Sequence, residues 1–199
     1  MRRQPRHASR TPRTPHAPHR TALVGLAMAG VLSAGLIPVT ASTAAADPQA
    51  RDAVIRLINA ERTQRGLPAL TVNASLTAAA QRHAMDAVRL KWWGPGKDSH
   101  TNPQTGSTPQ SRIMAAGYCP NPRSWSVAEI TYTGWGGSGT PKAAVNWWTN
   151  VSTYGHRQRV LDPAMREIGA AAVAGAADRA GAGASGAGTY VVTFGRCVR

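Results

Sequence analysis

Apolar residues follow two rhythms along this chain, one of helical period and one alternating. Val54, Ile55, Ile58 and Arg62 recur at helical spacing, with Leu57 widening the stripe, and predict a helix over 51–65 that Gly66 stops. Leu67-Pro68-Ala69-Leu70 then reads as an extended connection. Asn73 or Ser75 is placed to cap a second helix reaching about Leu90, whose one apolar face is Leu76, Ala79, Ala80, His83, Ala84, Ala87 and Val88. Residues 91–110 carry the Gly, Pro and Ser of a loop, and residues 111–116 predict a short helix ending at Gly117. Residues 126–133 alternate and suit a strand. Thr140-Pro141 is an N-cap followed by Pro at the first helical position, and that helix continues through Val145, Trp147 and Trp148 to about Val151. Strands at 167–174 and 189–198 close the chain. The segment 175–188 between them is Gly, Ala and Ser, too poor in side chains to pack, and reads as a flexible hairpin loop. Helices first and strands last give a layered α+β domain with a small sheet.

The N-terminal region changes how the rest is read. Residues 1–20 are basic and Pro-rich, residues 21–39 carry no charge, and Ala44-Ala45-Ala46 precedes Asp47. A basic stretch, an apolar stretch and a small-residue A-x-A site form the pattern of a secretory signal peptide. Residues 1–46 are therefore expected to be a leader cleaved after Ala46, with 47–50 a short linker and 51–199 the folded domain. The alternative is retention of 21–39 as a membrane anchor. Both place the domain outside the cytoplasm. The leader holds six of the 23 basic residues and no acid, so the domain keeps 17 basic against 9 acidic residues, a charge of +8 rather than +14. Export makes nucleic acid the poorest partner and an anionic cell-envelope surface a better one. In an oxidising compartment the single cysteine pair, Cys119 and Cys197, favours one disulfide over two free thiols.

The candidate chemistry is sparse. His83 lies on an apolar helix face and reads as a hydrogen-bonded core residue. His100 and His156 fall in loops or at helix ends, and Glu129 stands in an apolar strand, where a carboxylate needs a partner. Two imidazoles and one carboxylate, brought together, are ligands for a divalent cation with an open water position, or an acid/base set. No Gly-x-Ser-x-Gly elbow and no His-Glu-x-x-His occurs.

The order of these pieces resembles the CAP superfamily, the cysteine-rich secretory, antigen-5 and pathogenesis-related proteins, in its compact bacterial form. The likeness runs from Ile58-Asn59-Ala60-Glu61-Arg62 through Gly66-Leu67-Pro68-Ala69-Leu70, Asn73, Leu76, His83-Ala84-Met85, His100, Arg112-Ile113, Ala116-Gly117-Tyr118 and Glu129. It continues through Ala144-Val145, Trp147-Trp148, Gly155-His156-Arg157, Val160-Leu161-Asp162-Pro163 and Ile168-Gly169 to Tyr190-Val191-Val192-Thr193-Phe194-Gly195. The resemblance implies a three-layer α-β-α sandwich with a small central antiparallel sheet, and an open cleft where His100, Glu129 and His156 converge as a metal-binding set. Two departures stand out. Ile130 replaces the Asn that follows the cleft Glu, and Pro141 to His156 contains no acid for the fourth cleft position, leaving Ser152 as the nearest stand-in. The span from Trp148 to His156 is also longer than the family's usual one. With one acid fewer, any cation, such as Zn²⁺, is expected to bind weakly.

Together these readings describe a secreted, monomeric binding module whose cleft takes a small lipid or peptide ligand. The competing reading is a metal-assisted hydrolase of a peptide or envelope polymer, with Glu129 as general base.

Overall fold

The computed structural model describes residues 45–199. The expected leader and the anchor stretch 21–39 lie outside the described residues, except for Ala45 and Ala46. The first helix, α1 (Pro48–Thr63), starts earlier than its apolar stripe. Asp47 caps it by accepting from the Ala50 N–H at 2.9 Å, and Pro48 sits in the first turn, where its missing N–H costs nothing. Residues 47–50 are thus cap and first turn rather than a linker. Just before them, Ala46 bridges Val173, and the Asp47 N–H donates to the Ala172 carbonyl at 2.8 Å.

The remaining elements are β1 (Thr71–Val72), α2 (Ala74–Leu90), α3 (Pro109–Ala115), β2 (Ser124–Gly134), α4 (Pro141–Asn146), α5 (His156–Val160), β3 (Glu167–Ala174) and β4 (Gly188–Val198). The sheet order is β1-β3-β4-β2. The last three strands pair antiparallel, but β1 joins β3 in parallel, with Thr71 opposite Glu167. The sheet is therefore mixed rather than purely antiparallel. The short extended run leaving α1 passes β3 in the same direction and uses its free edge.

Side-chain alternation along the central strands builds both cores. On one face Ala170, Ala172, Tyr190, Val192 and Phe194 meet Val54, Ile58, Val145, Trp148 and Val160 from α1, α4, α5 and the turn between the last two. On the other, Ala171, Val173 and Val191 meet Ala80, Ala84, Ala87 and Val88 of α2. These two layers enclose the sheet as an α-β-α sandwich. Gly169 lets α2 approach closely, since a Cβ there would stand 2.2 Å from the Leu76 carbonyl carbon.

The segment 175–188 does not behave as a floppy loop. Ala176, Ala177 and Gly181 are buried, and Asp178 caps a 3₁₀ turn at Arg179–Gly181. The Ala177 carbonyl accepts from the Trp93 N–H at 3.1 Å, and the Ser185 carbonyl accepts from the Gly136 N–H at 2.9 Å. Backbone hydrogen bonds hold this stretch, and its small residues let tryptophan rings lie directly on the chain. The disulfide Cys119–Cys197 forms, tying the loop after α3 to the end of β4.

Candidate functional site

Glu129 is carried by the edge strand β2, on the face opposite its buried neighbour Ile130, and its carboxylate is 1% exposed. A charge so placed needs a partner, and α3 supplies one. Arg112 Nη2 donates to both carboxylate oxygens, at 2.9 and 3.0 Å, while its Nη1 donates to the Ser107 carbonyl at 2.7 Å. His100, from the loop between α2 and α3, is the third member, with Nδ1 2.9 Å from Glu129 Oε1. The loop is held by the His100 N–H donating to Asp98 and by a Ser99–Thr131 hydroxyl contact of 2.7 Å. His83 closes the group from α2. It is fully buried, its Nε2 donates to the Ser99 carbonyl at 2.8 Å, and that nitrogen lies 3.9 Å from Glu129. Burial holds its imidazole below the ordinary histidine value, so it stays neutral. The core role expected of His83 thus stands beside a contact with the site.

His156 enters from the other helical layer. The chain between α4 and α5 forms a π turn, Trp147–Val151, closed by the Ser152 N–H donating to the Trp147 carbonyl at 2.8 Å. A π turn takes up one residue more than an α turn, which absorbs the long span between Trp148 and His156. It delivers Ser152 to His156, with Oγ 2.6 Å from Nδ1. The His156 ring packs on Trp147 with centroids 5.0 Å apart. Burial, and after it the charge of His100, push the His156 imidazole down to about 4.

His100 and His156 both line one open cleft of about 900 Å³ beside β2. Trp93, Tyr132, Trp135, Trp147 and Tyr154 form most of its walls, with Lys97, Asp98, Ser138 and Asp178 as polar lining. Among the described residues no three His, Cys, Asp or Glu side chains are grouped to hold a metal ion. Glu129 is buried and is not among the residues that line the cleft. Arg112 occupies both its oxygens, so the carboxylate orients His100 from behind. Such an outer carboxylate fixes the orientation of the ring. The ring nitrogens left without a partner among the described residues are Nε2 of His100 and Nε2 of His156. Sequence reasoning missed the part played by Arg112. Its signal was the isolated acid in β2, which required a buried cation somewhere else in the chain.

The sandwich and its two-histidine cleft define a class, and the sequence places the chain within it. Residues 55–194 match the CAP family, described as the Cysteine-rich secretory protein family. The chain belongs to that family. No curated protein matches it. Among solved structures, an outer surface protein of Borrelia burgdorferi is similar at 18% identity and a TM-score of 0.57, over 77% of this chain and 98% of that one. An extracellular SCP-domain protein of Bacillus anthracis is similar at 16% identity and a TM-score of 0.52, over 76% of this chain and 41% of that one. This chain thus spans less than half of the Bacillus anthracis protein. At these identities the likeness establishes the fold.

Proposed function

We propose that this protein is an exported binding module whose cleft receives a small ligand, with His100 and His156 able to add a weakly held divalent cation such as Zn²⁺. The observation that carries the reading is the grip of Arg112 on Glu129. A carboxylate buried out of the cleft lining, with both oxygens accepting from a guanidinium, has no free oxygen placed to act as a general base on a bound ligand. The metal-assisted hydrolase reading needs Glu129 in that role. The neutral imidazole of His156 suits ligand donation, since a metal requires an unprotonated nitrogen. A bound cation would supply a positive point for an oxygen of the ligand. Export is supported by the leader pattern, the single disulfide and the likeness to outer-surface and extracellular proteins.

The test is turnover. Purified protein incubated with peptides and with peptidoglycan, with and without Zn²⁺, is expected to release no product. Calorimetry with Zn²⁺ is expected to show weak binding that His100→Ala and His156→Ala each reduce about tenfold or more. Zn²⁺-dependent product release that vanishes in Glu129→Gln would overturn the reading.

A further inference from the structure

We infer that the occupant of the cleft is a neutral oligosaccharide, stacked on Trp135 and Tyr154 and hydrogen-bonded by Asp178. This deepens the binding-module reading and rests on it. The first argument is the chemistry of the walls. The cleft lining contains no Leu, Ile, Val, Met or Phe, and its large apolar groups are indoles and phenols. An acyl chain or sterol is held by aliphatic side chains in an enclosed space, and this cleft is open. Aromatic faces carry negative charge density that attracts the C–H groups on the face of a sugar ring, while the ring's hydroxyls remain free for polar partners.

The second argument is presentation. Trp135 is 37% exposed and Tyr154 is 81% exposed, unusual for rings with no packing reason to face solvent. Trp135 is also firmly backed. A Cβ on Gly181 would stand 2.3 Å from its ring, so one face lies on the 175–188 segment. The two rings come from different loops, after β2 and before α5, and both line the cleft.

Charge narrows the class further. Lys97 is the one lysine or arginine of the lining, against Asp98 and Asp178. That balance gives no attraction for a sulfated or carboxylated polymer. Asp178 uses Oδ1 to accept from the Ala180 N–H at 2.9 Å, and its second oxygen accepts from no described residue. A free carboxylate oxygen between aromatic walls is suited to a sugar hydroxyl. A strand-like peptide adding to the β2 edge is disfavoured, because Trp148 Nε1 already donates to the Thr131 carbonyl at 2.9 Å. The volume of about 900 Å³ lies at the upper end for small-molecule sites and admits several linked rings.

The experiment titrates the purified protein with N-acetylglucosamine tetramer, cellotetraose and maltotetraose, following tryptophan fluorescence and heat. Laurate and a neutral tetrapeptide serve as competing classes. Saturable binding of at least one oligosaccharide is expected, weakened about tenfold in Tyr154→Ala and in Asp178→Asn with the thermal transition unchanged. Trp135→Phe, which keeps a ring on Gly181, is expected to weaken it less than Trp135→Ala. Laurate or the tetrapeptide perturbing the cleft tryptophans while all three sugars fail would overturn the oligosaccharide and leave the binding module standing. Failure of every probe, or sugar binding indifferent to both Tyr154→Ala and Asp178→Asn, overturns the inference as well. Cleavage of any added sugar would overturn the binding-module reading itself.

Discussion

Arg112 and Glu129 are each tolerable only because of the other. Both side chains are more than nine-tenths buried, and each would be an unneutralised charge alone. Arg112→Met is therefore expected to cost roughly 3–5 kcal/mol in urea unfolding. Replacing both residues by methionine should recover much of that loss, and a double variant no better than Arg112→Met would show that packing, not charge, is what Arg112 supplies. Histidine 156 yields a second prediction at this scale. Its imidazole is held at about 4 in the folded protein, against an ordinary 6.5. Below 6.5 the unfolded chain takes up a proton that the folded chain refuses. His156 thus contributes stability in full above the unfolded value, and that contribution is gone once the pH has fallen through about 4. In chelator-containing buffer, urea midpoints measured across this window should fall more steeply for the parent than for His156→Asn. Equal slopes would remove His156 from the acid response.

Elements were legible where a repeating pattern stands behind them. The faces of α1 and α2, with Val54, Ile58, Leu76, Ala80 and Ala84 inward, follow from spacing because one stripe must face the sheet. Of the three long strands, β2 follows from the alternation of 126–133, whereas β3 and β4 are buried on both faces and read as short apolar runs. Two-residue β1 has no pattern to read, since only tertiary placement pairs Thr71–Val72 with β3. The order of 175–188 was hidden because its backbone holds it, and side-chain composition does not report backbone bonds. His100 and Glu129 were found as isolated polar residues in unlikely places, whereas Arg112 was one arginine among many. Gly169 tests how far the α2–β3 contact governs the fold. A Cβ there meets main-chain atoms of Leu76 and Thr77 at 2.2 Å, which cannot swing aside as a side chain would. Gly169→Ala is expected to destabilise by at least 1–3 kcal/mol, the range for overpacking a filled site. Gly137→Ala, with nothing within 4 Å of its added Cβ, should stay within about 0.5 kcal/mol. Similar losses at both positions would argue that backbone entropy, not close approach, decides the outcome.

At the scale of the molecule, the disulfide links the loop after α3 to the final strand. Cys119 and Cys197 are 78 positions apart, with Cα atoms 5.6 Å apart. The bond therefore encloses β2, α4, the π turn, α5, β3 and most of β4, a span that includes Glu129, His156 and every aromatic wall of the cleft except Trp93. A constraint of this length removes unfolded-state freedom worth roughly 4 kcal/mol in the chain-entropy account. A domain of this size holds only about 5–15 kcal/mol in all, so the bond is a large share of its stability. The three α helices that precede Cys119 lie outside the closed loop, yet they pack on strands within it, so the folded arrangement itself does not require the bond. Cys119→Ser/Cys197→Ser is accordingly expected to keep the native circular dichroism at low temperature while losing about 2–5 kcal/mol in denaturant. Reduction of the parent protein should reproduce that loss, and reoxidation should reverse it. A double variant that unfolds with the parent's midpoint would show that the two ends are held by packing alone.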